Sequence, residues 1–376
     1  MKTGKLLGAV LTLAAMLCFA GCAEKPQTPE TTTQPPQTEA AEPVNFDLER
    51  DVLYFGRTYK KGNIQWFNWS GSGFSIRFQG TAVAAELYSN APDTRNLAYV
   101  KVYVDGVEQK DILLKEETQI VMLAEGLDPA VAHTVQVYKR TNVRSSTAGV
   151  GRLVLMDGAI LEPEQPKDRL IEFLGDSLTV GYMAAKDGKT ARAWSTTTED
   201  VTGTYCPQIA QALDAQYQVV AVSGRGVVRN NGGDQDVLFP DIYRELDAYN
   251  NPTVEYDFAR QPDVIVINLG SNDESEANQD LPEETFRQGL YEFLKEVRQF
   301  NPDAQILYTY GLVRVKLSGA IEQVVQQLRD EGDEKIHYLQ LAQCQAWELN
   351  LNHTVSTAYA SRGEAIIEKI RSITGW

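Results

Sequence analysis

Histidine is almost missing from this chain: His133, His337 and His353 are the three in 376 residues. Any mechanism that needs an imidazole therefore has few candidates. Cysteine is nearly as sparse, with four residues, no CxxC pair and no His-rich run at metal-ligand spacing, which excludes a disulfide scaffold and argues against a structural zinc site. No metal or cofactor is implied. Basic residues are outnumbered, 35 Lys and Arg against 51 Asp and Glu, and a formal charge of -16 repels polyphosphates, which argues against nucleic acid as a partner. Long apolar runs are absent too. The stretch from Leu6 to Ala20 is shorter than the roughly 20 residues needed to span a bilayer, and no later segment is apolar enough.

What is present is ordinary globular composition, 43% hydrophobic, 23% charged and 9% aromatic, in a chain longer than one core usually organises. Residues 1–22 open on Met-Lys-Thr-Gly-Lys, continue through the short apolar run and end in small residues, as an export signal does. The run Phe19-Ala20-Gly21-Cys22 resembles a bacterial lipobox, although Phe19 replaces the usual Leu. It implies cleavage before Cys22, lipidation of that thiol and a place on the extracellular face of a bacterial membrane; the alternative is a secreted protein. Residues 23–45, rich in Pro, Thr, Gln and Glu, cannot bury enough apolar surface to offset ordering and read as a disordered spacer.

Two periodicities divide the remainder. From residue 46 to 166 apolar residues recur at period two in Asn63–Asn68, Gly73–Phe78, Ala82–Tyr88, Tyr99–Val104, Gln119–Leu123, Thr134–Tyr138 and Leu153–Leu161, with turns such as Asp105-Gly106 between them. This predicts an antiparallel β-sandwich of jelly-roll type. From 167 to 376 apolar strands (Leu170–Leu174, Gln218–Val222, Val264–Leu269, Gln305–Tyr310, Ile336–Leu341) alternate with amphipathic stretches (Tyr205–Leu213, Glu283–Phe300, Ser318–Asp330, Thr354–Thr374). The pattern predicts a three-layer α/β domain with a parallel sheet and a crevice at the carboxyl ends of its strands.

Gly175-Asp176-Ser177 follows the first of those strands, so Ser177 stands at the crevice with a free backbone N–H, although Asp and Ser are also common helix caps. Ser223-Gly224-Arg225-Gly226 follows the second strand and Gly270-Ser271-Asn272-Asp273 the third. Both are also ordinary turn chemistry. His133 belongs to the sandwich and His337 to a strand, which leaves His353 as the one base able to reach the strand ends.

These blocks in this order, with Thr198-Glu199-Asp200 and Tyr205 between them, resemble the SGNH (GDSL-type) hydrolases. With a jelly roll carrying Gly56-Arg57 and Val102-Tyr103-Val104-Asp105-Gly106, the chain is similar to carbohydrate esterase family 2, the acetyl xylan esterases. The resemblance implies a carbohydrate O-acetyl esterase in which Ser177 is the nucleophile, His353 the general base and then acid, and the N–H of Ser177, Asn272 and either Gly224 or Gly226 the oxyanion donors. Tyr182, Trp194 and Trp347 flank the crevice and are candidates to stack on sugar rings or simply to pack. Other readings are a degenerate carbohydrate-binding lipoprotein and an esterase for peptidoglycan acetyl groups or acyl lipids.

The chain departs from the family at the histidine. Leu351 and Asn350 stand where an acid is expected before His353, and Thr354 replaces a proline. A Ser–His dyad is therefore expected, with Nδ1 held by a backbone carbonyl of the Trp347–Asn352 loop or by the Asn350 side chain. Glu348, the rival acid, is expected to be an exposed loop carboxylate. Cys206 and Cys344 are expected to be buried thiols with no essential disulfide.

Overall fold

The computed structural model describes residues 42–90 and 96–376; the signal segment, Cys22 and the spacer up to residue 41 lie outside the described residues. Alternation of apolar and polar residues along Gly73–Gln79 and His133–Lys139 turns Phe74, Ile76, Phe78, Val135 and Val137 inward, and two antiparallel sheets close over them. Strands 59–61, 64–66, 149–155, 83–88 and 118–124 form the first sheet in that order, and 159–161, 73–79, 133–139, 98–104 and 107–114 the second.

Four details depart from the sequence reading. The single strand expected over Leu153–Leu161 is two strands in different sheets, because Gly158 takes a left-handed φ of +93° and Asp157 turns back to hold Thr81. Val44–Asn45, read as spacer, pairs with Val154 and Leu155. The strands Val52–Phe55 and Val107–Leu114 carry too many polar residues or too short a pattern to be picked out. A hairpin of Glu245–Asp247 with Asn251–Glu255 has no apolar alternation at all.

The second half builds a parallel sheet from β1 (Leu170–Gly175), β2 (Gln216–Ala221), β3 (Val264–Asn268), β4 (Gln305–Tyr310) and β5 (Ile336–Gln340), ordered β2-β1-β3-β4-β5. Its central strands β1 and β3 are wholly buried because helices cover both faces, whereas the edge strand β5 is half-buried. α1 (Ser177–Val180), α2 (Tyr205–Ala212) and α6 (Tyr359–Thr374) pack on one face. α3 (Phe239–Tyr243), α4 (Glu283–Phe300) and α5 (Ser318–Asp330) pack on the other. α6 begins five residues later than its amphipathic pattern suggests, since His353–Thr354 is drawn into a hairpin with Leu349–Asn350.

The sandwich and the α/β domain belong to one compact unit. Arg57, 2% exposed, reaches out of the sandwich to the carbonyls of Tyr243 (2.6 Å) and Glu245 (2.9 Å), lies 3.3 Å from Glu172 on β1 and covers the Tyr256 ring at 4.1 Å. Removing the guanidinium would strand a buried Glu172, a loss of about 3–5 kcal/mol. Lys101 to Asp200 (2.7 Å) and Asn142 N–H to Glu199 (2.9 Å) tie the sandwich to the Thr198-Glu199-Asp200 segment. Cys206 and Cys344 are both buried free thiols.

Candidate active site

Ser177 opens α1 at the carboxyl end of β1, one residue after Asp176, whose carboxylate caps the helix by accepting the Leu178 N–H at 2.9 Å. Helix capping and nucleophile placement are thus divided between neighbours, and Ser177 keeps its own N–H and Oγ for other work. Oγ lies 2.9 Å from Nε2 of His353. Nδ1 of His353 in turn lies 2.8 Å from the Leu351 carbonyl oxygen. The acceptor is the Leu351 backbone carbonyl and not the Asn350 side-chain oxygen; the Asn350 amide instead donates through Nδ2 to the carbonyls of Gly188 (2.6 Å) and Ala191 (2.9 Å).

The local backbone explains this. Asn350 and His353 pair across a two-residue hairpin whose central residues, Leu351 and Asn352, have φ of +46° and +61°. Such a primed turn folds the Leu351 carbonyl back beneath the ring that follows it. Asn suits that conformation; Leu is strained there. Burial holds the His353 pKa below its ordinary value, offset in part by the Leu351 carbonyl, so the imidazole is neutral and able to accept a proton near pH 7.

Glu348 corrects an expectation. It is buried, not exposed, and its two oxygens grip the Arg362 guanidinium at 2.6 and 2.8 Å while Oε2 also takes the Gln345 N–H. Arg362 holds its carboxyl below the usual range. A carboxylate so fully engaged orients the loop and α6, and does not touch His353.

The glycine block resolves as well. Gly224 has φ of +84°, closed to most side chains, and its N–H has no partner among the described residues. Gly226 is a glycine for another reason, since a Cβ there would lie 1.8 Å from the Arg229 carbonyl, and its N–H is given to Asn230 at 3.2 Å. Gly226 is therefore not available as an oxyanion donor. Asn272 directs Nδ2 at the Arg225 carbonyl (2.7 Å) and more loosely at Asp176 (3.3 Å). Asp273, to which no role was assigned, accepts the N–H groups of Val227, Val228 and Arg229 at 2.7–2.9 Å and so fixes the loop that presents Gly224. Burial raises the pKa of Asp176 to about 6 although Ser271 and Leu178 donate to it.

Of the three candidate aromatics, the structure gathers two. Tyr182 stacks on His353 with 4.2 Å between centroids and 27° between planes, and Trp194 stacks on the other side of Tyr182 at 5.4 Å and 10°. Trp194 is steadied by Glu199, which accepts its Nε1–H at 3.2 Å. Trp347 is 69% exposed and joins no ring contact among the described residues. His133 pairs with Asp105 and His337 with Gln305, away from the crevice. Sequence reading missed Arg144, a sandwich residue whose Nη1 approaches the Ser223 carbonyl at 3.4 Å beside Gly224. No signal in its own segment marks it. No group of three or more metal-ligating side chains occurs among the described residues.

Comparison with known proteins agrees with this architecture. Residues 54–164 match the model of the carbohydrate esterase 2 N-terminal domain and residues 173–359 that of the GDSL-like lipase/acylhydrolase family. The chain is 29% identical over 301 residues to the cellulase/esterase CelE of Acetivibrio thermocellus, a match covering 78% of this chain and 35% of that protein. It is also 29% identical over 296 residues to an acetylxylan esterase / glucomannan deacetylase of Cellvibrio japonicus, covering 73% and 76%. A family two carbohydrate esterase from Clostridium thermocellum, solved with cellohexaose, superposes with a TM-score of 0.81 at 26% identity over 86% of this chain and 99% of that one. With an esterase 2 N-terminal sandwich joined to a GDSL-like hydrolase domain, this chain belongs to carbohydrate esterase family 2.

Proposed function

We propose that the protein is a carbohydrate O-acetyl esterase that removes acetyl groups from plant polysaccharides such as xylan and glucomannan, or from their oligosaccharides. The contact that carries this reading is Ser177 Oγ to His353 Nε2 at 2.9 Å, with Nδ1 fixed from behind. Ser177 attacks the acetyl carbonyl as His353 takes its proton; the imidazolium then protonates the departing sugar oxygen, and water reverses the sequence on the acetyl-enzyme. The oxyanion meets the N–H groups of Ser177 and Gly224 and the Asn272 amide hydrogen now directed loosely at Asp176. Each such donor is worth roughly 2.7–4 kcal/mol in the transition state.

The altered residues before His353 motivated a degenerate, purely binding reading. The intact Ser177–His353 contact favours catalysis instead. Lipidation at Cys22, followed by the polar spacer, would hold the enzyme at the outer membrane face where polymer fragments arrive. Among the described residues no helix is long and apolar enough to cross a membrane.

Acetate release from acetylated xylan, glucomannan, peptidoglycan and aryl acetates tests the proposal. Ser177→Ala should fold normally and fall to background on the plant polymers; turnover above about a tenth of wild type would remove Ser177 as nucleophile. Preference for peptidoglycan would replace the substrate class and leave the chemistry. Asn272→Ala should lower kcat about 10²–10³-fold with little change in KM.

A further inference from the structure

The outward face of the second sandwich sheet does not meet solvent everywhere. Between it and α2 lies a cleft of about 670 Å³, within the range of small-ligand sites, and none of Ser177, Gly224, Asn272 or His353 lines it. Strand alternation decides what the sheet contributes. Where Val102, Val104, Val135 and Val137 turn into the sandwich core, Tyr103, Gln136 and Tyr138 turn out into the cleft, as does Ser75 from the neighbouring strand.

Two observations show that this surface lacks partners it is built to have. Ser75 is 1% exposed, yet its Oγ has no hydrogen-bond partner among the described residues, and Oε1 of Gln216 at the edge of the central sheet is buried and likewise unmatched. A buried polar atom left so keeps its full desolvation cost, which a ligand hydroxyl would recover. The side-chain amides of Gln136 and Gln211 line the same space and have no protein hydrogen bond among the described residues. The rings beside them are already fixed: Tyr138 lies parallel to Tyr217 (6.2 Å, 3°), and Tyr103 meets Tyr138 edge-on (5.6 Å, 84°).

The chemistry of the lining selects the occupant. The charged side chains in it, Glu164 and Lys167, are exposed on the interdomain linker, so a phosphate or carboxylate would find no buried counter-charge. A wholly apolar ligand would leave the amides and Ser75 unsatisfied. Fixed aromatic rings joined to primary amides and hydroxyls suit a neutral polyhydroxyl ligand, whose ring faces are apolar and whose edges donate and accept. We propose that this cleft is a second carbohydrate subsite, distinct from the Ser177–His353 centre, holding a short unacetylated stretch of neutral polysaccharide. Its ligand class rests on the substrate class proposed above.

The experiment uses the full mature chain with cellohexaose and xylohexaose as probes, and compares wild type with Gln136→Leu and Tyr103→Ala. Calorimetric titration reports all binding, whereas inhibition of aryl acetate turnover by the same sugars reports the catalytic crevice alone. The expected result is a binding component weakened at least tenfold in both variants, with the inhibition constant and aryl acetate kcat unchanged within twofold. Identical titrations in wild type and Gln136→Leu, which keeps side-chain volume and removes the amide, would overturn the subsite. So would a parallel loss in both readouts. If no substrate is deacetylated but the variant-sensitive component persists, the esterase reading falls and the subsite stands; acetate release without that component removes the subsite alone.

Discussion

Nδ1 of His353 is held at 2.8 Å by the carbonyl of Leu351, two residues earlier in the same hairpin. A main-chain dipole thus fixes the tautomer that a carboxylate fixes in a Ser–His–Asp triad, without supplying a full negative charge to the imidazolium. The acceptor is independent of the side chain at 351, and the first expectation follows from that.

Leu351→Asn retains the carbonyl and places at φ +46° a residue that tolerates it. Its kcat/KM should stay within threefold of wild type, and chemical denaturation should show a gain of about 0.5–1 kcal/mol, part of the 1–3 kcal/mol that such strain costs. A large loss of activity with unchanged stability would mean that the Leu351 side chain itself serves the reaction.

Glu348→Gln removes the charge that Arg362 grips and leaves the loop hydrogen bonds largely in place. Stability should fall by about 1.5–3 kcal/mol, the range for hydrogen bonds to charged groups. Turnover measured below the new melting temperature should change less than tenfold. A drop near 10⁴-fold, the loss typical of a missing triad acid, would install Glu348 in that role.

Tyr182 presents its ring face to His353 at 4.2 Å, where an imidazolium formed during attack gains cation–π stabilisation of about 0.5–2 kcal/mol. Tyr182→Leu should therefore lower kcat roughly 2- to 30-fold on an aryl acetate, with Tyr182→Phe close to wild type. If Tyr182→Leu instead raises only KM, and only for polysaccharide, the ring is a sugar platform.

The pH dependence has a fixed sign. His353 must be neutral to accept the Ser177 proton, and burial lowers its pKa, so kcat/KM should be flat at neutral pH and fall on acidification, with a midpoint below the ordinary 6.5. The same shift makes the native state bind fewer protons than the unfolded chain in that window, so this group's contribution to stability declines as pH drops below about 6.5. Asp176 titrates near 6 beside Asn272. An acid limb that survives in Asp176→Asn belongs to His353; one that vanishes belongs to Asp176.

Local pattern alone carried a large part of this protein. Alternating strands, apolar strands between amphipathic helices, and glycine-bearing blocks at strand ends follow from periodicities of two and 3.6 and from the sterics of glycine, so the two-domain order and the place of Ser177 and of the Ser223–Gly226 and Gly270–Asp273 blocks at strand ends were readable without coordinates, while the roles of their residues rested on the family resemblance. Scarcity helped, since three histidines left one candidate. What sequence left open was every choice between neighbours. Gly224 or Gly226, Leu351 carbonyl or Asn350 amide, Glu348 facing solvent or Arg362: each turns on a φ value or a partner far along the chain. The same holds for Arg57, whose target Glu172 lies 115 residues away, and for Tyr182, which stands against a histidine 171 positions on. A hydrogen bond is decided over a few tenths of an ångström, whereas sequence spacing fixes only which face of an element a residue occupies, so the dyad's geometry belonged to the tertiary structure.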